Sequence, residues 1–313
     1  MNYLKLIRYK NLLMIGGMQY ALRYGLILPI LNHYQLHPVL SDFRFALVVL
    51  STILLAASGY IINDYFDIRI DRINKPDKVL VGKYINRRSA LFLHVLLTIS
   101  GILIGLFIAY VARKEIYALM YIAIPVMLWY YSTTFKRHIV IGNLVISFLT
   151  GIVVLLVVSV EFAMLSKVHG NSIIRTEACS VAWFWATGFA IFAFLTNFIR
   201  EIIKDTEDIK GDKAVGCKTL PIALGIYLTK VFVSILVMLS ITVIWLMYFF
   251  VDELQTIPYL IPYFVIGFTI PHLLLIYKWI RAKEPKDYHV ASGLNKLIML
   301  FGVLFIIFAG QMF

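Results

Sequence analysis

Two short stretches hold most of the side chains that could do chemistry. The first, "IINDYFDIRIDRINKPDK", residues 61–78, carries Asn63, Asp64, Asp67, Asp71 and Asp77. The second, "REIIKDTEDIKGDKAVGCKTLP", residues 200–221, carries Glu201, Asp205, Asp208 and Asp212. Both follow apolar runs, and both turn from acidic to basic. On a helix turning about 100° per residue, Asn63, Asp67 and Asp71 spread over roughly 80° of one face, and Asp64 widens the arc to about 100°. Glu201, Asp205, Asp208 and Asp212 fall within roughly 60° if their helix continues that far. Carboxylates four residues apart repel one another, and a helix C-terminus adds an unfavourable dipole. One such array is ordinarily a solvated helix end, offset here by Arg69, Arg72, Lys204 and Lys210. Two arrays of the same polarity at matched positions call for cations. Oxygen-only ligands suit Mg²⁺, which takes one or two carboxylates and completes its shell with substrate phosphates. The pattern therefore predicts two facing ladders that clamp a polyphosphate through Mg²⁺, with nearby Lys and Arg taking the remaining phosphate charge.

The elements that must position these ladders are membrane helices. The 313 residues are 61% hydrophobic and 15% charged, far from soluble usage. A helix crossing the hydrocarbon needs about 20 mostly apolar residues. Nine runs qualify: 11–31, 43–63, 89–111, 116–134, 139–160, 181–203, 224–250, 257–279 and 291–312. Lipid-facing segments of this length must be helices, which satisfy their own backbone groups. The expected fold is an all-α, polytopic bundle of about nine spans, forming one domain over 1–313. The first run has no obvious cleavage site and reads as a retained span.

The net charge of +12 is explained by topology rather than by nucleic acid. Connections numbered alternately from the N-terminus place 21 of the 29 Lys and Arg on one side. The positive-inside rule makes that side cytoplasmic, with both ladders and the N-terminus, and puts the C-terminus outside. The cell's inner membrane is the expected location, with membrane lipid as a partner. Cys179 and Cys217 fall on opposite faces and cannot pair, and their spacing gives no zinc or redox signal. The seven His make no spaced pair on one helix face; His272 is expected to be a packed, hydrogen-bonded residue. Span interiors are expected to carry almost no charge. Spans 2 and 6 occupy corresponding positions four apart, which hints at an internal repeat.

A polyphosphate held at the mouth of an apolar bundle suggests a lipid tail inside it, hence an isoprenyl diphosphate. "NDYFDIRID" matches the N-D-x-x-D-x-x-x-D pattern of the UbiA superfamily of intramembrane prenyltransferases, and "DTEDIKGD" resembles its second Asp-rich motif. "IRYKN" at 7–11 and "YSTTFKRHIVIGN" at 131–143 resemble two further signatures of that family. The resemblance covers nearly the whole chain. It implies Mg²⁺-diphosphate binding by Asn63, Asp64, Asp67 and Asp71 and by Asp205, Asp208 and Asp212. It implies diphosphate contacts from Lys136 and Arg72, and places Arg8 and Asn11 near the substrate. Asp67, Asp71, Asp208 and Lys136 would carry the catalytic work. Glu201 and Lys204, ahead of the second Asp set, depart from the pattern and leave open whether Asp205 or Asp208 is the chief ligand.

The reaction so implied is isoprenyl transfer with diphosphate as leaving group. Mg²⁺ and cations would neutralise the charge on the leaving oxygen, and an aromatic face would stabilise the electron-deficient allylic carbon. Tyr130, Tyr131, Phe194 and Phe198 lie near the right span ends, and Tyr131 falls within the matched motif. Two rivals fit less well. The CDP-alcohol phosphotransferases need a D-G-x-x-A-R segment that this chain lacks. Transporters place ionisable groups near the bilayer midplane, whereas these ladders lie at span ends. Within the family, the second motif most resembles the branch that prenylates geranylgeranylglyceryl phosphate; aromatic acceptors of quinone synthesis are the alternative. A lipophilic acceptor bearing its own phosphate would need extra cations, for which Arg8, Lys10, Arg137, Lys213 and Lys218 are the sequence's candidates, beside Lys204.

Overall fold

The computed structural model describes residues 2–313. Among them, eight helical segments are long and apolar enough to cross a membrane. They are span 2 (Asp42–Phe66), span 3 (Arg87–Ala112), span 4 (Glu115–Arg137), span 5 (Ile141–His169), span 6 (Glu177–Glu207), span 7 (Gly225–Phe250), span 8 (Leu260–Arg281) and span 9 (Pro285–Gly310). Span 1 is the ninth. Tyr9–Leu22, the π-helical Arg23–Ile27 and Leu28–His33 run end to end. The expected nine-span, all-α architecture is what the chain adopts.

Spans 5 and 6 are longer than their apolar runs. Span 5 continues past residue 160 because Glu161 is satisfied where it lies. Its carboxylate accepts from the N–H groups of Val39 and Leu40 at 3.2 and 3.1 Å and sits 3.4 Å from the buried Arg23 guanidinium. Arg23 also donates to the Leu40 carbonyl and pairs with Asp42 at 3.1 Å. The expectation of nearly charge-free span interiors therefore fails at this buried pair, which is tolerated because both ions are paired and hydrogen-bonded, and at Lys296 within span 9.

Span 2 packs along spans 3 and 4, and span 6 along spans 5 and 9. Span 1 closes the ring, touching spans 2, 5 and 9. Two short helices, Ile68–Asn74 and Ile209–Ala214, cap one end of the bundle and pack against each other. They follow spans 2 and 6, so the two stretches that carry the ladders meet at this end. His272 is buried, with Nε2 3.0 Å from Ser240 Oγ and Nδ1 2.7 Å from the Phe268 carbonyl. It is the packed residue expected.

Candidate active site

Neither ladder lies on one straight helix. Span 2 ends at Phe66, Asp67 takes φ −84° and ψ 1°, and a new helix starts at Ile68. Span 6 ends at Glu207, Asp208 takes φ −98° and ψ 10°, and a new helix starts at Ile209. The hydrogen bonds from Asp71 N–H to Asp67 and from Asp212 N–H to Asp208 survive, at 2.8 and 3.1 Å. Each break is therefore a bend at an aspartate. Asp67 and Asp208 stand 141 residues apart. That register matches Asp71 with Asp212 and Asp64 with Asp205, and sets Lys204 opposite Asn63. It makes Asp208 the counterpart of Asp67 at the bend, and Asp205 the counterpart of Asp64.

Each aspartate of the inner rank is held by a residue from another element. Arg8, just ahead of span 1, pairs with Asp64 at 2.7 Å. Asn143 at the start of span 5 donates to Asp205 at 2.8 Å. Lys136, at the end of span 4, pairs with Asp67. Lys75 lies 2.8 Å from Asp208 and 2.9 Å from Glu207. A clamp joins the two halves: Asn74 Nδ2 donates to the Asp208 carbonyl at 2.9 Å, and the Gly211 N–H donates to Asn74 Oδ1 at 2.8 Å. A Cβ at Gly211 would collide with the Asn74 amide. Gly142 meets a similar demand, since a Cβ there would come within 2.7 Å of the Lys136 Cα.

The outer rank lacks cations. Asp71 and Asp212 have no ion-pair partner among the described residues. Burial, then the charges of Asp67, Asp64 and Asp208, push the Asp71 carboxyl up to about 7. Burial, then Asp208 and Asp67, push Asp212 up to about 7. Each feels the opposite ladder, so the ladders face each other. Burial also raises Asp208, against the pull of Lys75. Among the described residues, no three acidic or imidazole side chains yet close round a point that could hold a cation. The donor set nevertheless fits Mg²⁺. Its atoms are oxygens, two carboxylates are short of positive charge, and the buried Asn63 Oδ1 has no partner.

Behind the ladders lies a cavity of about 210 Å³ between spans 1, 2, 4, 5 and 6. Arg8, Asn63, Tyr131, Glu201 and Lys204 form its polar end, and residues such as Leu55, Leu128 and Leu156 its apolar depth. Of the four aromatics proposed from sequence, only Tyr131 lines it. Tyr130 is exposed and stacks on Phe135, and Phe194 stacks on Phe198 outside it. Arg72 is exposed, and it is Lys75 of the same loop that pairs with Asp208. Lys10, Arg137, Lys213 and Lys218 are also exposed and line no part of the cavity. Cys179 and Cys217 are both buried, so neither serves as a surface probe of topology.

Sequence reasoning missed Asn74, Lys75, Asn143, Tyr60 and Asn197. Tyr60 and Asn197 line the cavity. The Tyr60 ring carries the Arg8 guanidinium 4.8 Å from its centroid, and its hydroxyl accepts from Asn11 at 3.4 Å. Asn143 falls inside the 131–143 signature and was legible there; the others carry no local signal.

The profile of the UbiA prenyltransferase family matches residues 30–294. A digeranylgeranylglyceryl phosphate synthase of Sulfurisphaera tokodaii is 29% identical over 79% of this chain and 78% of its own. The protein of that name from Methanococcus aeolicus is 32% identical over 71% of this chain and 68% of its own. A solved structure, described as that of a digeranylgeranylglyceryl phosphate synthase in membranes, aligns with a TM-score of 0.60 at 27% identity, over 99% of this chain and 97% of its own. A UbiA homologue from Archaeoglobus fulgidus, solved with DMAPP and Mg²⁺, has a TM-score of 0.59 at 16% identity over 98% and 99% of the two chains, a likeness of fold alone.

Proposed function

The chain belongs to the UbiA prenyltransferase family, and from that premise we propose that it transfers a geranylgeranyl-class group from its diphosphate to the free hydroxyl of a prenylglyceryl phosphate. What supports the reading is the meeting of two bent acidic ladders at the mouth of an apolar cavity, with Lys136 and Lys75 already drawn to Asp67 and Asp208. The synthase activity for which the relatives are named supplies the acceptor.

In the proposed step the acceptor hydroxyl oxygen attacks C1 of the allylic diphosphate. The C1–O bond to diphosphate breaks with both electrons on the oxygen, the ether C–O bond forms, and the hydroxyl proton passes to the departing diphosphate. Mg²⁺, held by Asn63, Asp67 and Asp71 and by Asp208 and Asp212, would neutralise the leaving group. Asp64 and Asp205 would hold the inner rank through Arg8 and Asn143. Lys136 and Lys75 would turn from their aspartates toward phosphate oxygens. Tyr131 would offer its ring to the electron-deficient carbon, and the apolar depth would keep water from it. The chain acts as one catalytic unit, and its ladder end faces the cytoplasm of an inner membrane. A matrix of prenyl diphosphates against acceptors, run on the purified chain with products weighed by mass spectrometry, tests the reading. The expected product is a diprenylglyceryl phosphate. Efficient prenylation of hydroxybenzoate or dihydroxynaphthoate, with prenylglyceryl phosphate untouched, overturns it.

A further inference from the structure

The cavity behind the ladders has a neighbour. A second lobe of about 150 Å³ lies between spans 1, 5, 6 and 9. The two lobes share Asn11, Tyr60, Asn197 and Arg200 as walls. The first lobe reaches Asn63, Glu201 and Lys204 and so opens on the ladders; none of these lines the second. The second is apolar along Met14, Phe189, Phe192 and Val303, and has its own cation, Lys296.

Lys296 is exposed along the lobe it lines, yet it sits deep within a span. It is the twelfth residue of span 9, roughly 16 Å along the helix from its start at 1.5 Å per residue. An ionisable side chain at such depth marks a functional site by default. It has no ion-pair or hydrogen-bond partner among the described residues. Beside it, Arg200 and Lys204 share a single carboxylate, Glu201, at 3.0 and 2.9 Å. Arg200 Nε is buried and unpartnered. Arg8 is already matched by Asp64. The fork therefore carries two positive charges more than its carboxylates balance. A phosphate monoester brings close to two negative charges at pH 7; an aromatic carboxylate brings one.

Resting on the acceptor reading above, we propose that the second lobe is the acceptor's compartment: Lys296 and Arg200 bind the glyceryl phosphate, and the chain already on the glycerol lies along span 9. The donor's chain then occupies the first lobe, and the two substrates meet at the fork beside Asn11 and Tyr60. This places acceptor selectivity on Lys296 and Arg200, which line the lobe, rather than on Lys10, Arg137, Lys213 and Lys218, which line neither lobe.

The test uses the full chain in lipid nanodiscs, with geranylgeranyl diphosphate and geranylgeranylglyceryl phosphate as probes. Lys296→Gln should raise the acceptor KM about tenfold or more, the loss of a charge-assisted contact. Its donor KM and saturated kcat should stay within about twofold. Lys296→Arg should restore most of the affinity, which also controls for folding. Calorimetric binding of the acceptor without Mg²⁺ should weaken in parallel. Val303→Trp, which fills the lobe, should penalise acceptors with long chains and spare those with one isoprene unit. An unchanged acceptor KM in Lys296→Gln, or an equal rise for the donor, overturns the assignment. A shift in donor chain-length preference in Val303→Trp overturns it as well. A wild-type chain that leaves prenylglyceryl phosphate untouched would sink the acceptor reading itself, a result distinct from these.

Discussion

Asp67 and Asp208 each occupy a bend, face a lysine and lie beside the opposite ladder. Changing either to Asn keeps the shape and removes the charge. Turnover should drop at least about a hundredfold, the scale seen when one preorganised charge-stabilising group is lost. Folding should survive, because the Asn side chain still offers Lys136 or Lys75 an oxygen acceptor and one carboxylate fewer repels its neighbours. Steady-state rates at saturating Mg²⁺ decide it; near-wild-type turnover would remove that aspartate from the ligand set. Asp71 and Asp212 make a pH prediction. Both are raised from 3.8 to about 7 by burial and neighbouring carboxylates. A carboxyl raised on folding contributes stability that is full below its unfolded pKa and is lost as pH climbs through the folded one. The metal-free chain should therefore melt at falling temperatures between about pH 4 and pH 7, and Mg²⁺ should oppose the fall increasingly toward pH 7. A melting curve that rises with pH over that window contradicts the assignment. At this scale the sequence was a good guide to aspartates, whose four-residue spacing is local information. It was a poor guide to their partners. Arg72 and Lys75 look alike in a basic loop, and only the turn after Asn74 decides which ammonium or guanidinium reaches Asp208.

The helix ends show what spacing alone cannot. A ladder read as one face of one helix becomes two faces of a bend, because both breaks fall where no Pro or Gly announces them. The break lets the second short helix pack on the first, and Asn74 holds them together through two backbone contacts. Asn74→Ala should cost about 1–3 kcal/mol of local stability, each lost buried hydrogen bond counting for roughly 1. Hydrogen exchange over 209–214 should speed up, and the donor KM should rise more than the acceptor KM. Unchanged exchange in that segment would mean that the short helices are held by packing alone. The existence and order of the long spans were legible, since hydropathy sets them, but ends such as His169 of span 5 and Pro285 of span 9 were not. Where span 5 outran its apolar run, the reason was a polar residue satisfied across the fold, Glu161 by the 39–40 backbone.

For the whole molecule, orientation is the open physical quantity, and the charge asymmetry predicts it. Since both native cysteines are buried, the test needs new ones in a background lacking them. The exposed Lys213 and His169 lie at opposite ends of the bundle. Lys213→Cys should react with an impermeant maleimide only after permeabilisation, and His169→Cys from outside intact cells. The reverse pattern inverts the topology and the side from which the diphosphate enters. The nine-span count was legible from composition because each span is a local property; the forked interior was not, because it is made by helices far apart in the chain. The Asn74 clamp also sets an order of events during synthesis. Asn74 emerges 137 residues before Gly211, on the order of ten seconds earlier at ordinary elongation rates. Until then the first acidic bend is in the membrane without its mate, and a ribosome stalled between the two halves leaves behind a nascent chain that is anchored and helical yet has no grip on a prenyl diphosphate.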